Sequence, residues 1–445
     1  MNMLKTFSKG GVHPPENKIS AGKSIEILPL PQKVSIPVSQ HIGAPANVLV
    51  AKGDKVKVGQ VIAQSSGFVS ANIHSSVSGT VESIDAVLDS SGYKRQAITI
   101  TVEDDEWIES IDRSTELKKD IQLNAQDIIK RINESGIVGL GGATFPSHVK
   151  LSVPAGKKAE VLIINGVECE PYLTSDHRLM LEKGHEMMVG IQILMRALNV
   201  EKALIGIENN KPDAIKYLKS IAGEYKGVEV HGLKVKYPQG GEKQLIKALI
   251  NREVPSGGLP IDIGAVVHNV GTAFAVYEAV QKNKPLFERV VTVTGKNLPK
   301  TANYIVRIGT SVAELIAAAG GLPDDTGKVV NGGPMMGKAL TSTDVPVTKG
   351  TSGIIVFQSK ESQRKTDSAC IRCAKCVSVC PMGLEPYLLN RLSQRMMFEN
   401  MEHEHVLDCM ECGSCSFECP ANLPLLDYIR LGKAEVNKII RSRKN

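Results

Sequence analysis

Two matching cysteine runs constrain this chain more than any other feature. Cys370, Cys373, Cys376 and Cys380-Pro381 follow C-x2-C-x2-C-x3-C-P, and Cys409, Cys412, Cys415 and Cys419-Pro420 repeat it without gap or substitution. Eight of the nine cysteines fall in these runs, and only Cys169 stands apart. A disulfide framework would scatter cysteines through a small secreted domain. Dense clustering in a long chain points instead to metal in a reducing compartment. Two-residue gaps let three thiolates converge on one face of a cube, and the proline bends the chain away after the fourth. In runs of this kind the fourth cysteine serves the other of two clusters. That assigns Cys370, Cys373, Cys376 and Cys419 to one [4Fe–4S] cluster, and Cys409, Cys412, Cys415 and Cys380 to the second. Structural zinc in two four-thiolate sites is the alternative; zinc motifs, however, pair one C-x2-C with a distant one. "LEPYLLNRLSQRMMFE" and "LPLLDYIRLGKAEVNKII" follow the two Cys-Pro steps and read as helices, so 370–445 is expected to be a helical dicluster ferredoxin-like domain.

A cluster is a relay, so the rest of the chain must say what feeds it. The 445 residues allow about three domains of ordinary size. Aromatics are only 4%, which argues against an aromatic platform for nucleic acid. No run of 18 apolar residues occurs, and the start "MNMLKTFSKGGVHPPENK" lacks the apolar core of a signal peptide. Membrane association is therefore expected only through partners. The basic end "GKAEVNKIIRSRKN" reads as a solvated helix terminus, with a patch for an acidic partner or anionic lipid as the alternative.

After an extended N-terminal segment (1–44), residues 45–121 alternate short strands with glycine turns, as in "NVLVAKGDKVKVGQVIAQ" and "IHSSVSGTVESI". The stretch resembles the lipoyl and biotinyl carrier fold, a small β-barrel or sandwich. Aligned on "VSG", the hairpin tip falls at Gly67 and Phe68, so the attachment lysine of such carriers is missing. From 122 to 288 helix-length segments alternate with apolar strands such as "AEVLIING" and "KALIGIE", which predicts an α/β domain around a mainly parallel sheet. Residues 289–357 read as a small α+β unit whose helix "SVAELIAAAGG" is capped by Ser311 and closed by glycine. The polar stretch 358–369 is the expected linker.

Two stretches of the α/β region carry chemistry. "SGIVGLGGATFPSHVK" places Gly139, Gly141 and Gly142 after a predicted helix, with Lys150 beyond. Glycines let backbone N–H groups approach a phosphate and a lysine adds charge, although such a loop is also an ordinary tight turn. "INGVECEPYLTSDHR" follows a predicted strand directly. Ligands of α/β sheets bind outside the carboxyl ends of strands, where Asn165, Glu168 and Glu170 can bond sugar or ring atoms; a charged surface loop is the alternative. Cys169, inside this strip, is given no role, and "GGPMMG" is expected to be a turn packed by Met335 and Met336.

The glycine loop ending in F-P, the lysine after it and N-x-x-E-x-E-P after the next strand resemble the FMN- and NADH-binding flavoprotein subunit of respiratory complex I. The similarity runs from about 122 to 345 and takes in "GGEKQL" and "HNVGT". The whole order, with "GGVHPPENK", "GLGGATFP", "VECEPYLTSDHRLM", "HNVGTAFAV" and "GGPMMG", is similar to the C-subunit family of Rnf-type ion-translocating ferredoxin:NAD oxidoreductases. This resemblance implies four units: a carrier-like β domain, an α/β flavin- and NADH-binding domain, a β-grasp (SLBB-like) domain and the dicluster module. It implies non-covalent FMN, with Gly139, Gly141, Gly142 and Lys150 around phosphate and ribityl, and with Asn165, Asn269 and Thr272 holding the flavin. Phe145 would lie near the nicotinamide and Glu170 would touch NADH.

Against the complex I pattern, Val167 replaces an aspartate, Lys243 the second of two glutamates and His268 an asparagine. The implied role is a peripheral subunit on the cytoplasmic face of the cell membrane, passing electrons between NAD(H) and two clusters. Ferredoxin would stand at the far end of the complex, and a B-type iron–sulfur subunit and membrane subunits would be the partners, moving Na+ or H+. Two other readings stay open: a cobalamin reductase of bacterial microcompartments, and a cluster-bearing docking subunit without a nucleotide site.

Overall fold

The computed structural model describes residues 4–443. Its first strands are β1 (Ile25–Ile27), β2 (Lys33–Pro37), β3 (Asn47–Val48), β4 (Lys55–Val56), β5 (Val61–Gln64), β6 (Ile73–His74), β7 (Ser78–Leu88) and β8 (Lys94–Asp104). β2, β8, β7 and β4 make one antiparallel sheet and β3, β5 and β6 a smaller one. Val34, Ile36, Ile62, Ile73, Val81, Ile98 and Ile100 are buried in their shared core, as expected where every second side chain turns inward. The expected boundary at residue 45 is corrected: β2 pairs with β8 and belongs to this unit, while β1 leaves for another sheet altogether. Both strands are too short to show a period, and their partners lie far along the chain.

The α/β unit comprises α1 (Ala125–Glu134), α2 (Ser147–Leu151), β9 (Val161–Asn165), α3 (Ser175–Glu182), α4 (Gly184–Leu198), β10 (Ala203–Glu208), α5 (Pro212–Ala222), β11 (Val228–Leu233), α6 (Glu242–Ile250), β12 (Ala265–Asn269) and α7 (Val270–Lys282). The sheet order is β11-β10-β9-β12, all parallel. β10 is buried along its whole length, which explains its apolar run. Helices α4 and α7 pack so closely that a Cβ on Gly190 would stand 1.9 Å from the Ala273 carbonyl oxygen. The chain winds outward from β9 to β11 and then returns to the other side of β9. That reversal opens a crevice at the carboxyl ends of β9 and β12.

Strands β13 (Glu288–Thr294) and β14 (Ala302–Arg307), helix α8 (Val312–Ala318), and strands β15 (Thr326–Asn331), β16 (Lys338–Ala339) and β17 (Gly353–Gln358) follow. Their sheet, ordered β1-β14-β13-β17-β15-β16, takes its edge strand from the N-terminal segment. Ser311 caps α8 and Glu314 reaches back to it in a reciprocal capping box. Helix α9 (Ser359–Ser362) packs on β15 and β17, and the last unit holds α10 (Lys375–Ser378), α11 (Pro386–Gln394), α12 (Phe398–His403), α13 (Ser414–Glu418) and α14 (Leu425–Ser442). The expected linker thus starts as the end of β17 and a short helix; 363–374 has no regular structure. In the basic tail, Arg443 pairs with Glu402 at 2.8 Å, and residues 444–445 lie outside the described ones. No helix among the described residues is long and apolar enough to cross a membrane.

Lys284 ties the α/β unit to the sheet that follows it. Its Nζ stands 2.5 Å from Glu278 of α7 and 2.6 Å from Glu288 of β13, with the lysine side chain only 15% exposed. Burial by itself would weaken the ammonium, but the two carboxylates outweigh it and hold its pKa above the usual lysine value. Removing one partner of a buried ion cluster leaves its opposite charges stranded. Lys284→Met should therefore cost about 3 kcal/mol of stability, read as a lowered calorimetric transition with iron and flavin content unchanged.

Candidate redox site

Asn165 and Asn269 end β9 and β12 and are register partners across the two strands. The Asn165 amide donates to the Gly240 carbonyl at 2.8 Å. Asn269 Oδ1 accepts the Gly271 N–H at 2.8 Å and caps α7, while its Nδ2 donates to Asp176 at 2.6 Å. The glycine loop folds over this helix start. Leu140 N–H donates to Thr272 Oγ1 at 2.9 Å, and Gly139 N–H closes the loop onto the Phe145 carbonyl at 2.9 Å. A Cβ on Gly141 would sit 3.3 Å from Asn269 Cβ, and Gly142, with φ +113°, occupies backbone space that favours glycine. The structure therefore brings Gly139, Gly141, Gly142, Asn165, Asn269 and Thr272 to one crevice, with half-buried Phe145 on its loop.

The crevice has the donors a flavin needs. The amides at 141–143 are exposed and have no partner among the described residues. Lys150 reaches the same cleft from α2, where its Nζ holds Glu242 at 2.7 Å and the Val267 carbonyl at 3.0 Å. Next to it His268 Nε2 is buried without a partner. Burial first, then the Lys150 charge, pulls that imidazole down to about 3, so it is neutral. Open amides, a lysine and side-chain amides at strand ends suit a phosphate and ring heteroatoms. FMN fits here.

Two expected contacts do not join this set. Glu168 caps α3, accepting the Asp176 N–H at 2.8 Å and the His177 N–H at 3.2 Å. Glu170 turns to the "GGPMMG" loop, where it accepts the Met335 and Met336 N–H groups at 3.0 and 2.9 Å. Burial pushes its carboxyl up to about 7. Both glutamates satisfy backbone amides, which position alone in the strip does not reveal. Val167 is buried core, and Lys243 points out to the Pro255 carbonyl at 3.2 Å. Cys169 only accepts the Gly240 N–H, and burial pushes its thiol far up.

The neighbouring units clamp the loop. Phe68, at the tip of the carrier-like hairpin, packs edge-on against His148 of α2, whose ring nitrogen contacts the Phe68 carbonyl at 2.9 Å. Buried Arg289 of β13 donates to the Lys349 carbonyl and, at 3.4 Å, to the Leu140 carbonyl. Sequence reading missed Asp176, Glu242 and Arg289. "TSDHR" and "GGEK" carried the first two as motif residues, whereas nothing local marks Arg289.

Cys380, Cys409, Cys412 and Cys415 line one cavity, closed by Pro381, Met382, Leu389, Met410, Leu426 and Ile429. The fourth cysteine of the first run thus stands among the first three of the second. Burial pushes Cys409 up to about 11 and Cys415 up to about 12; bound iron would hold such thiols deprotonated. The apolar walls and four thiols fit a cubane. In the other set Cys370 and Cys373 are exposed. Burial raises Cys376, and Cys419 and Cys370 are near enough to add to the shift.

One wall separates the crevice from the buried cysteine cavity. The segment Tyr237–Gln244 faces Asn165 and Lys150 on one side. On the other, Tyr237 donates to the Cys412 carbonyl at 2.8 Å and the Gln244 amide lies 3.3 Å from Met382 sulfur. The N-terminal strap seals the far side. Gly11 N–H donates to the Val379 carbonyl at 2.9 Å, and Val12 exchanges hydrogen bonds with Tyr237. A Cβ on Gly10, at φ +68°, would meet the Cys380 carbonyl carbon and oxygen at 2.6 Å. Gly10→Val should lift the strap and expose this cavity alone. The expected result is faster loss of one cluster in air, seen as a fall to about half the iron, with FMN content retained.

Comparison with known proteins agrees with this layout. The RnfC barrel sandwich hybrid domain matches 5–106, the Nuo51 FMN-binding domain 132–278, the SLBB domain 290–339 and the 4Fe-4S dicluster domain 362–420. The C subunit of the proton-translocating ferredoxin:NAD(+) oxidoreductase complex of Clostridium ljungdahlii is 49% identical over 97% of this chain and 94% of its own length. Its Na(+)-translocating counterpart from Acetobacterium woodii is 43% identical over 98% of both. The C subunit of the ion-translocating oxidoreductase complex of Rhodobacter capsulatus is 40% identical over 99% of this chain and 85% of its own. A chain of an NAD+-reducing [NiFe]-hydrogenase shares the fold, with TM-score 0.51 and 17% identity; the match covers 70% of this chain and 63% of that one. Full-length identity of this order, on top of the crevice and the paired cysteine sets, places the chain in the C-subunit family of ion-translocating ferredoxin:NAD oxidoreductases.

Proposed function

We propose that this chain is the NAD(H)-facing electron-transfer subunit of a membrane-associated, ion-translocating ferredoxin:NAD oxidoreductase complex. The observation that carries the reading is the single wall, Tyr237–Gln244, shared by the flavin crevice and the cavity of Cys380, Cys409, Cys412 and Cys415. When bound, FMN exchanges a hydride with nicotinamide and single electrons with a [4Fe–4S] cluster, a conversion between two-electron and one-electron chemistry. The chain supplies geometry. Gly139, Gly141, Gly142 and Lys150 would hold phosphate and ribityl; Asn165, Asn269 and Thr272 would orient the ring; Phe145 would flank the nicotinamide. Apolar side chains keep water from the inner cysteine set, which raises the strength of every local electrostatic interaction.

The set Cys370, Cys373, Cys376 and Cys419 would form the outer relay, because two of its thiols open to solvent. Its partner would be another iron–sulfur subunit of the B type, with ferredoxin at the far end. Attachment to the cytoplasmic face of the membrane would come through the membrane subunits that move Na+ or H+. Anaerobic titration of the cluster-reconstituted, FMN-loaded chain with NADH tests the reading. Bleaching of the flavin bands followed by loss of cluster absorbance is expected. Flavin that stays oxidised in excess NADH would refute the nicotinamide assignment.

A further inference from the structure

The strap does not lie flat on the sheet. Between Pro14–Glu16 and the carboxyl ends of β10 and β11 it roofs a cavity of about 360 Å³, within the range of small-molecule sites. Glu208, the last residue of β10, lines it and is only 2% exposed. One of its oxygens accepts the Lys236 N–H at 3.2 Å. The other has no hydrogen-bond partner among the described residues, although it is not sealed from the cavity.

The chemistry of the lining selects the ligand. Both nearby lysines are already engaged: Lys18 Nζ spends its three N–H groups on the carbonyls of Glu168, Glu170 and Leu173 at 2.8, 2.9 and 2.7 Å. Lys211 Nζ donates to the Val167 carbonyl at 2.8 Å and Asn210 Oδ1 at 3.0 Å. An anion would have to compete with these bonds for either lysine. Glu208 asks for a hydroxyl or N–H donor and Glu16 already accepts the Asn210 amide at 2.7 Å, while Pro15, Pro171 and the Tyr237 ring offer apolar faces. Burial pushes Glu208 up to about 7, the mark of a carboxyl deprived of water and short of donors.

Position points the same way. Ligands of parallel α/β sheets bind outside the carboxyl ends of the strands. Glu208 ends β10, which runs beside β9 with Gly206 opposite Asn165. We propose that this cavity is a ribonucleoside subsite, in which Glu208 accepts ribose hydroxyls and the base rests against the proline and tyrosine walls. The ribose comes either from the adenosine half of NAD(H), a source that rests on the function proposed above, or from a free nucleoside bound on its own.

The test uses the FMN- and cluster-loaded chain, Glu208→Gln, and Val235→Trp, which fills the cavity from its wall. Calorimetric titration with adenosine should show binding to the parent chain, weakened about tenfold or more in both variants. Flavin and cluster spectra of the variants report that they are folded. A parallel rise in KM for NADH, with KM for reduced nicotinamide mononucleotide moving little, identifies the dinucleotide as the source. Weakened adenosine binding with an unchanged KM for NADH identifies a separate nucleoside. Absence of adenosine binding to the parent chain, together with unchanged KM for NADH in both variants, overturns the proposal. Failure of reduced nicotinamide mononucleotide to bleach the parent flavin strikes at the nicotinamide reading instead, and the adenosine titration still decides the subsite.

Discussion

Cys415→Ala should leave flavin that NADH can still bleach but remove the acceptor behind it. Cys415 is the cleanest of the inner four to change. Cys412 carries the carbonyl that holds Tyr237, and Cys380 lies under the strap, whereas Cys415 is buried among apolar residues of its own unit. Losing one of four thiolates should drop iron from roughly eight to roughly four atoms per chain, since each cubane holds four. Anaerobic NADH should then reduce the flavin while the remaining cluster stays oxidised, because the proposed order puts the lost centre between them. Cys373→Ala gives the opposite pattern. Iron falls by the same amount, yet the inner cluster still follows the flavin, and only transfer to an external acceptor is lost. Equal behaviour of the two variants in the NADH titration would refute the order of the clusters. Absorbance and electron paramagnetic resonance of both proteins decide it.

The second large effect is expected at Asn269. Its side chain caps α7, holds Asp176 and lies under Gly141, so Asn269→Ala disturbs three features of the crevice at once. The lost cap costs about 1 kcal/mol; the lost flavin contact and the loosened glycine loop should add enough to weaken FMN by roughly tenfold or more. Dialysis followed by flavin quantification measures this, with cluster content as the control for folding. A pH signature accompanies it. Burial, then the Glu168 charge, pushes the Asp176 carboxyl up to about 7, against the Asn269 amide, which lowers it. A raised carboxyl pKa means that folding holds the proton, so stability is lost as pH rises from the unfolded carboxylate range towards 7. Without the Asn269 donor that loss deepens, and FMN retention in the variant should fall further between pH 6 and pH 8 than in the parent. A flat comparison would separate Asp176 from the flavin site.

Metal chemistry, the types of unit and most of the crevice were legible in the order of residues. Cysteine spacing is a local property: three thiolates two residues apart and a proline after the fourth already describe a corner of a cubane. Apolar strands at β9 and β10 alternating with helix-length segments likewise declare a parallel α/β sheet, and ligands of such sheets sit at strand ends. Asn165 followed from that and the glycine loop from the reach of its backbone amides, whereas Asn269 and Thr272 were implied only by the family resemblance. The roles of Glu168 and Glu170 emerged only on folding, because each is claimed by backbone amides on a segment that local pattern does not pair with it. Folding also brings β2 into the β unit, Arg289 to the loop, and the strap across three units to cover Cys380. Which cysteine set faces the crevice depends on the packing of Tyr237–Gln244 against Cys412 and Met382. The two runs have the same spacing, so nothing within either could rank them; burial, set by the neighbours each one meets, does.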